Sequence, residues 1–177
     1  MRFSANYDNR ASGIRFYTEL DQDVVSELRD AGATVNFGTL ITPESYFADK
    51  SLTDLKHDVD FGKTTNYIDV KYTSLNYFSS TDFNGIVGSI TNLKDDHALW
   101  NFVGRGYVKV TQNGETYISY ADYSADNSRS LAFIAFKVKT DFTESGVAFY
   151  NQHKSIIDKW VAYYNNATDP DGKDDFE

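Results

Sequence analysis

The sequence predicts an α+β fold, an antiparallel-rich β-sheet or sandwich packed by C-terminal helices. Two observations carry this. Segments of strict apolar–polar alternation, the period of a half-buried strand, recur through the first two thirds of the chain. Beyond residue 130 the apolar spacing changes to that of a helix. Strands first and helices last favour segregated layers over a doubly wound parallel sheet, although the opening strand–helix–strand unit leaves room for a small parallel component. At 177 residues a single domain is expected, and a chain of this length buries a real core without staples.

The elements follow in order. In GIRFYTEL, residues 13–20, Ile14, Phe16, Thr18 and Leu20 share one face, and Arg15, Tyr17 and Glu19 the other. DQDVVSELRDAG reads as a short helix, with Asp21 as N-cap, Leu20 placed to staple onto Val25, and Gly32 at the C′ position. TVNFGTLITP is the next strand, with Val35, Phe37, Thr39 and Ile41 on one face and Pro43 ending it. Residues 44–63 are less regular, with one helical turn at ESYFADK. TNYIDVKYTSLNYF resumes alternation and sets Ile68, Val70 and Tyr72 against Tyr67, Asp69 and Lys71. FNGIVGSITNL is a strand whose glycines signal close backbone approach or a bulge. SRSLAFIAFKVK has apolar residues at 131, 134, 135 and 138, a helical spacing. ESGVAFYNQHKSIIDKWVAYYNNA carries Phe149, Ile156, Ile157, Trp160, Val161 and Tyr164 on one stripe, with Ile157 and Trp160 expected as its anchors. The aperiodic TDPDGKDDFE reads as an acidic tail or interdomain linker over 168–177, leaving 1–167 as one globular domain.

Between these blocks lies GYVKVTQNGETYISY, in which Asn113-Gly114 is a strong hairpin signal. Two registers compete. A two-residue turn pairs Val110 with Tyr117 and sets Lys109 beside Ile118, a poor match. A three-residue turn over 112–114, with Gly114 in a bulge, puts Val108, Val110, Ile118 and Tyr120 on one face. Tyr107, Lys109, Thr111, Glu115, Tyr117 and Ser119 then share the other. Register follows the hydrophobic pattern where one face is buried, so the bulged form is expected.

Charge and composition exclude several classes. The net charge is −9, and the longest basic cluster is the alternating pair Lys137 and Lys139, so nothing resembles the basic patch that phosphate-rich partners require. Nucleic acid is not an expected partner, nor is insertion into a membrane, since no apolar run is long enough. Arg105-Gly106-Tyr107-Val108-Lys109 approaches an RNA-stacking strand but has Val108 where a small residue belongs and Lys109 where an aromatic does. Gly62-Lys63-Thr64 ends like a phosphate loop, but the required first glycine is His57. There is no cysteine, and His57, His97 and His153 are isolated, so no metal is expected. Asp95-Asp96-His97 reads as a solvated turn. Asp169, Asp171, Asp174 and Asp175 echo a calcium loop without its alternating frame. Catalytic frames such as G-x-S-x-G are absent, and the chain is read as a non-enzyme without cofactor.

Five segments together, GIRFYTEL, FGTLITP, FNGIVGSITNL, FVGRGYVKV with its following tyrosines, and SRSLAFIA, resemble a type of accessory domain. Such domains occur in large secreted or surface-attached multidomain proteins of gut Firmicutes, often beside glycoside hydrolases and immunoglobulin-like repeats. The resemblance spans roughly residues 11–165 and implies an extracellular, modular, non-catalytic context. It carries no established binding residues with it.

The residues themselves suggest how such a module would bind. The chain has 13 Tyr, 13 Phe and 2 Trp, more aromatic surface than one core absorbs. Exposed tyrosines offer flat apolar platforms to the C–H face of a sugar ring, flanked by polar groups for its hydroxyls. Tyr107, Lys109, Glu115 and Tyr117 form one expected platform, and Tyr67, Asp69 and Lys71 a second. Arg105, between Gly104 and Gly106, is a candidate for presentation to a ligand, against the plainer reading of a backbone kink. Tyrosines on strand faces also stabilise cross-strand pairs without any ligand. The expected partner is a polysaccharide or glycan, with a structural spacer or protein-docking module as the alternative.

Overall fold

The structure, a computed structural model, describes residues 12–72, 78–80, 83–123 and 128–167, apart from the side chains of 78–80 and 83–84. Its strands are β1 (Gly13–Glu19), β2 (Thr34–Pro43), β3 (Ile68–Tyr72), β4 (Phe78–Ser80), β5 (Phe83–Thr91), β6 (Phe102–Gln112), β7 (Glu115–Tyr120) and β8 (Ser128–Arg129). Its helices are α1 (Gln22–Asp30), α2 (Leu131–Lys139) and α3 (Glu144–Asn166). The fold is α+β, as the pattern predicts. All strand pairings among the described residues are antiparallel, so the parallel component left open by the first strand–helix–strand unit is absent. α1 instead carries the chain from one sheet to the other. The smaller sheet has the order β1-β5-β4, and the larger β3-β2-β6-β7 with β8 on β6.

The local chemistry of α1 is as expected. Asp21 Oδ1 accepts from the backbone N–H of Asp23 and Val24 at 3.0 and 3.2 Å. Gly32 follows the C-cap at φ +81°, a left-handed conformation that suits glycine. Leu20 and Val25 bury together with Val35, Phe37 and Ile86. α2 is capped by Ser130, whose Oγ accepts from Phe133 N–H at 3.1 Å. α3 is capped by Thr143 and kinks at His153. Ile157, Trp160 and Val161 are buried in α3, whereas Phe149, at the other end of the expected stripe, is 37% exposed. Asp95–His97 forms a 3₁₀ turn held to α3 by Lys159 on Asp95 at 2.6 Å. The proposed tail, 168–177, lies outside the described residues, as do positions 73–77 of the long strand expected around β3.

Register assigns the faces of the larger sheet. Val35, Phe37, Thr39 and Ile41 of β2 lie beside Val110, Val108, Gly106 and Gly104 of β6, and this face meets the smaller sheet. Glycine is needed there for room. A Cβ on Gly104 would lie 2.1 Å from Phe16, one on Gly106 2.2 Å from Thr18, and one on Gly88 2.4 Å from Thr39. α2 and α3 close one end of the layer between the sheets, over Ile14, Phe16, Ile41 and Phe102. α1 closes the other.

The hairpin corrects the expected register. Val110 pairs with Tyr117, Lys109 with Ile118, and Gln112 with Glu115, so the loop is the two residues Asn113 and Gly114, at φ +53° and +84°. Both central residues are left-handed, the geometry that matches strand twist and that Asn-Gly adopts readily. β7 is an exposed edge strand. Little burial depends on its register, so turn chemistry prevails over hydrophobic pattern.

Candidate functional site: a tyrosine groove and the polar cluster behind it

The outer face of the larger sheet carries Gly38, Leu40 and Thr42 of β2, Val103, Arg105 and Tyr107 of β6, and Asp69 and Lys71 of β3. The irregular segment 44–67 covers it. Phe47, Leu55 and Phe61 bury against Leu40, Val103 and Tyr107, with Phe47 and Phe61 edge to face at 4.9 Å. Arg105 reaches inward from the sheet and is 8% exposed. Its Nε donates to Ala121 O at 2.7 Å, its Nη1 donates to Thr53 O, and its guanidinium lies 5.2 Å from the Tyr120 ring centroid. Asn66 shapes the end of the segment: its Oδ1 accepts from Phe61 N–H and its backbone carbonyl from Thr42 Oγ1, at 3.1 and 2.7 Å.

A polar cluster forms where this segment crosses β3 and β6. Tyr107 lies across Gly38 and donates to Asp69 Oδ1 at 2.8 Å. Asp69 Oδ2 is 3.4 Å from His57 Nε2 and 3.6 Å from Lys71 Nζ. His57 Nδ1 is 2.7 Å from Tyr120 OH, whose oxygen also accepts the His57 backbone N–H at 3.0 Å. Tyr67 OH donates to the His57 carbonyl. Burial, with the Asp69 hydrogen bond and charge adding to it, pushes the Tyr107 phenol far above its ordinary range. The polar atoms of the cluster are engaged with one another, so the arrangement fastens the covering segment to the sheet.

Beside the cluster, at the end of β2 and β3, lies a groove of about 180 Å³ lined by Tyr46, Tyr67, Thr65, Pro43, Ile68 and Phe102 among others. Ile68 is 47% exposed there. Tyr67 is held by its hydroxyl bond to the His57 carbonyl, and Lys63 Nζ lies 5.1 Å from the Tyr46 ring centroid.

The expected site residues separate into two groups. Tyr67, Asp69, Arg105 and Tyr107 come together under the 44–67 segment, with His57 and Tyr120. Lys109, Glu115 and Tyr117 stay on the exposed hairpin, where Tyr117 OH donates to Glu115. The first platform is therefore not formed: Tyr107 is 5% exposed, and the two-residue turn puts it on the opposite face from Tyr117, which is 61% exposed. Arg105 is not presented to solvent but clamps backbone carbonyls, and the glycines beside it serve the approach of β1, not a kink. Sequence reasoning missed Tyr46, Thr65 and Ile68 as groove residues. The available signal was the Pro43 strand end followed by ESY, which sets a tyrosine just beyond the end of an interior strand.

No family model, curated protein or solved structure matches the chain.

Proposed function

We propose that the chain is a non-catalytic extracellular module that binds polysaccharide or glycan in the groove between Tyr46 and Tyr67. The observation that supports this is a pair of tyrosines, with exposed Ile68, lining one shallow groove whose wall is ordered by Asn66. Apolar ring surface suits the C–H face of a sugar, and the Thr65 hydroxyl and Lys63 ammonium supply polar contacts at its rim. A net charge of −9 suits a neutral sugar better than an anionic one. The resemblance to accessory domains of secreted gut Firmicutes proteins supports the extracellular setting.

Affinity in the millimolar to micromolar range, ~4 to ~8 kcal/mol, is expected of one such groove. Titration with a panel of soluble oligosaccharides, followed by NMR, tests it. Tyr46→Ala should weaken binding about tenfold or more, worth ~1.4 kcal/mol, while Tyr117→Ala leaves it unchanged. Loss in Tyr117→Ala alone would move the site to the hairpin, and no binding to any glycan would remove the proposal. A spacer or protein-docking role is the second reading, favoured by the exposed apolar residues Phe142, Val147 and Phe149 around the start of α3.

A further inference from the structure

The exposed edge of β7 carries an inference independent of the groove. In the two-residue hairpin, Gln112 and Glu115 close the turn as a hydrogen-bonded pair. Backbone groups of Glu115, Tyr117 and Ser119 therefore point to β6, and those of Thr116 and Ile118 point away from it. The bond from Ala121 N–H to Gly106 O at 2.9 Å agrees, because it belongs to a wide pair at Tyr107 and Tyr120. Among the described residues, β7 thus presents an unpaired row of N–H and C=O groups centred on Ile118, in a sheet order where β7 is terminal.

Natural edges are commonly blunted by lysine, proline, a bulge or a covering loop. β7 has none of the first three, and residues 115–119 are all exposed. At the centre of this edge stands an apolar side chain, Ile118, 38% exposed and set beside Lys109 instead of another apolar residue.

We propose that this edge pairs with the same edge of a second copy of the chain, antiparallel, with Ile118 on the two-fold axis. That register sets Ile118 against Ile118 of the second copy, Thr116 against Tyr120, and Tyr117 against Ser119. It covers the one apolar residue that the hairpin leaves beside a lysine. It also opposes no like charges: Glu115, the only charged residue of β7, faces Ala121 and is hydrogen-bonded by Tyr117. A two-fold at Thr116 would run the overlap into the turn, and one at Tyr120 would carry half of it past the end of β7. The remaining net negative charge of each copy is screened beyond ~8 Å at physiological ionic strength.

The seven residues of edge pairing, 115–121, cover far less than the ~800 Å² per partner of a tight complex, so association is weak. It is measured by sedimentation velocity over a concentration series up to about 1 mM, a range set by the affinity scale of small interfaces. The expected result is a concentration-dependent dimer that Ile118→Lys, placing like charges on the axis, abolishes, with the circular dichroism spectrum unchanged. Because the chain contains no cysteine, Ile118→Cys gives a second readout. Mild oxidation should yield a covalent dimer at least tenfold faster than Gln152→Cys, an exposed position on α3, which packs at the other end of the layer from the hairpin. A monomer throughout the series, or equal cross-linking of the two cysteine variants, overturns the proposal. A dimer that survives Ile118→Lys overturns it as well, by placing the interface elsewhere.

Discussion

Tyr107 shows what alternation does and does not disclose about a residue. The pattern Tyr107, Val108, Lys109, Val110 correctly separates two faces of a strand. It does not tell which face is covered, because the cover comes from residues 44–67, whose own pattern is weak. Once covered, the phenol becomes the donor to Asp69, and its raised pKa links stability to pH. The unfolded chain loses a tyrosine proton near pH 10 while the folded state retains it. The stabilisation is complete below that pH and falls as pH rises toward the folded pKa. Tyr123, pushed up to about 12 by burial, acts in the same direction. Urea unfolding midpoints should therefore hold from pH 7 to about 9 and decline above about 10. Tyr107→Phe should cost about 1–3 kcal/mol at pH 7, since Asp69 loses a buried donor, and should make the alkaline decline shallower. An equal decline in that variant would show that Tyr107 does not carry the linkage.

At the scale of elements, what was legible had short-range causes. The cap at Asp21, the left-handed Gly32 and the strand-ending Pro43 depend on neighbours within a few positions, and all stand as expected. The hairpin register differs from its pattern, because hydrophobic pattern governs half-buried strands and β7 is an edge strand with little to bury. The 44–67 segment was least legible of all. Its position depends on long-range bonds, above all those from Arg105 to carbonyls at Thr53 and Ala121, 52 and 16 residues away. Guanidinium geometry serves two directions at once, which an ammonium on a linear stem does not reproduce. Arg105→Lys and Arg105→Ala should both speed amide hydrogen exchange over residues 52–58 by tenfold or more, a local loss of ~1.4 kcal/mol or greater. β2 exchange should stay slow. Unchanged exchange in the segment would show that its apolar contacts suffice to hold it.

At the scale of the molecule, segregation of strands and helices was readable because period is a property of whole segments. The division into two sheets was not, since nothing local states that β1 and β2 part company across α1. The glycines of β5 signal close approach or a bulge, whereas those of β6 read as a kink, and the layer between the sheets is where Gly88, Gly104 and Gly106 all make close approach possible. The groove residues were legible only in Tyr67, because Tyr46 and Thr65 come from the irregular cover. The helical end of the layer depends on Trp160, 2% exposed among Ile14, Leu93 and Ile157. Trp160→Ala should lower unfolding free energy by about 3–5 kcal/mol, measured by chemical denaturation. A loss below about 1 kcal/mol would mean that the helices dock through other residues.

Trp160 also donates to Ser12, 148 residues earlier, at 3.3 Å. The beginning of β1 and the last turns of α3 therefore leave the body side by side. Wherever polypeptide continues from both, a pulling force enters and exits at the same end, through β1 and α3, and does not run across the larger sheet. The domain would hang from such a chain as a pendant and not stretch within it as a link. The groove and the β7 edge would keep their shape while the tether is under tension.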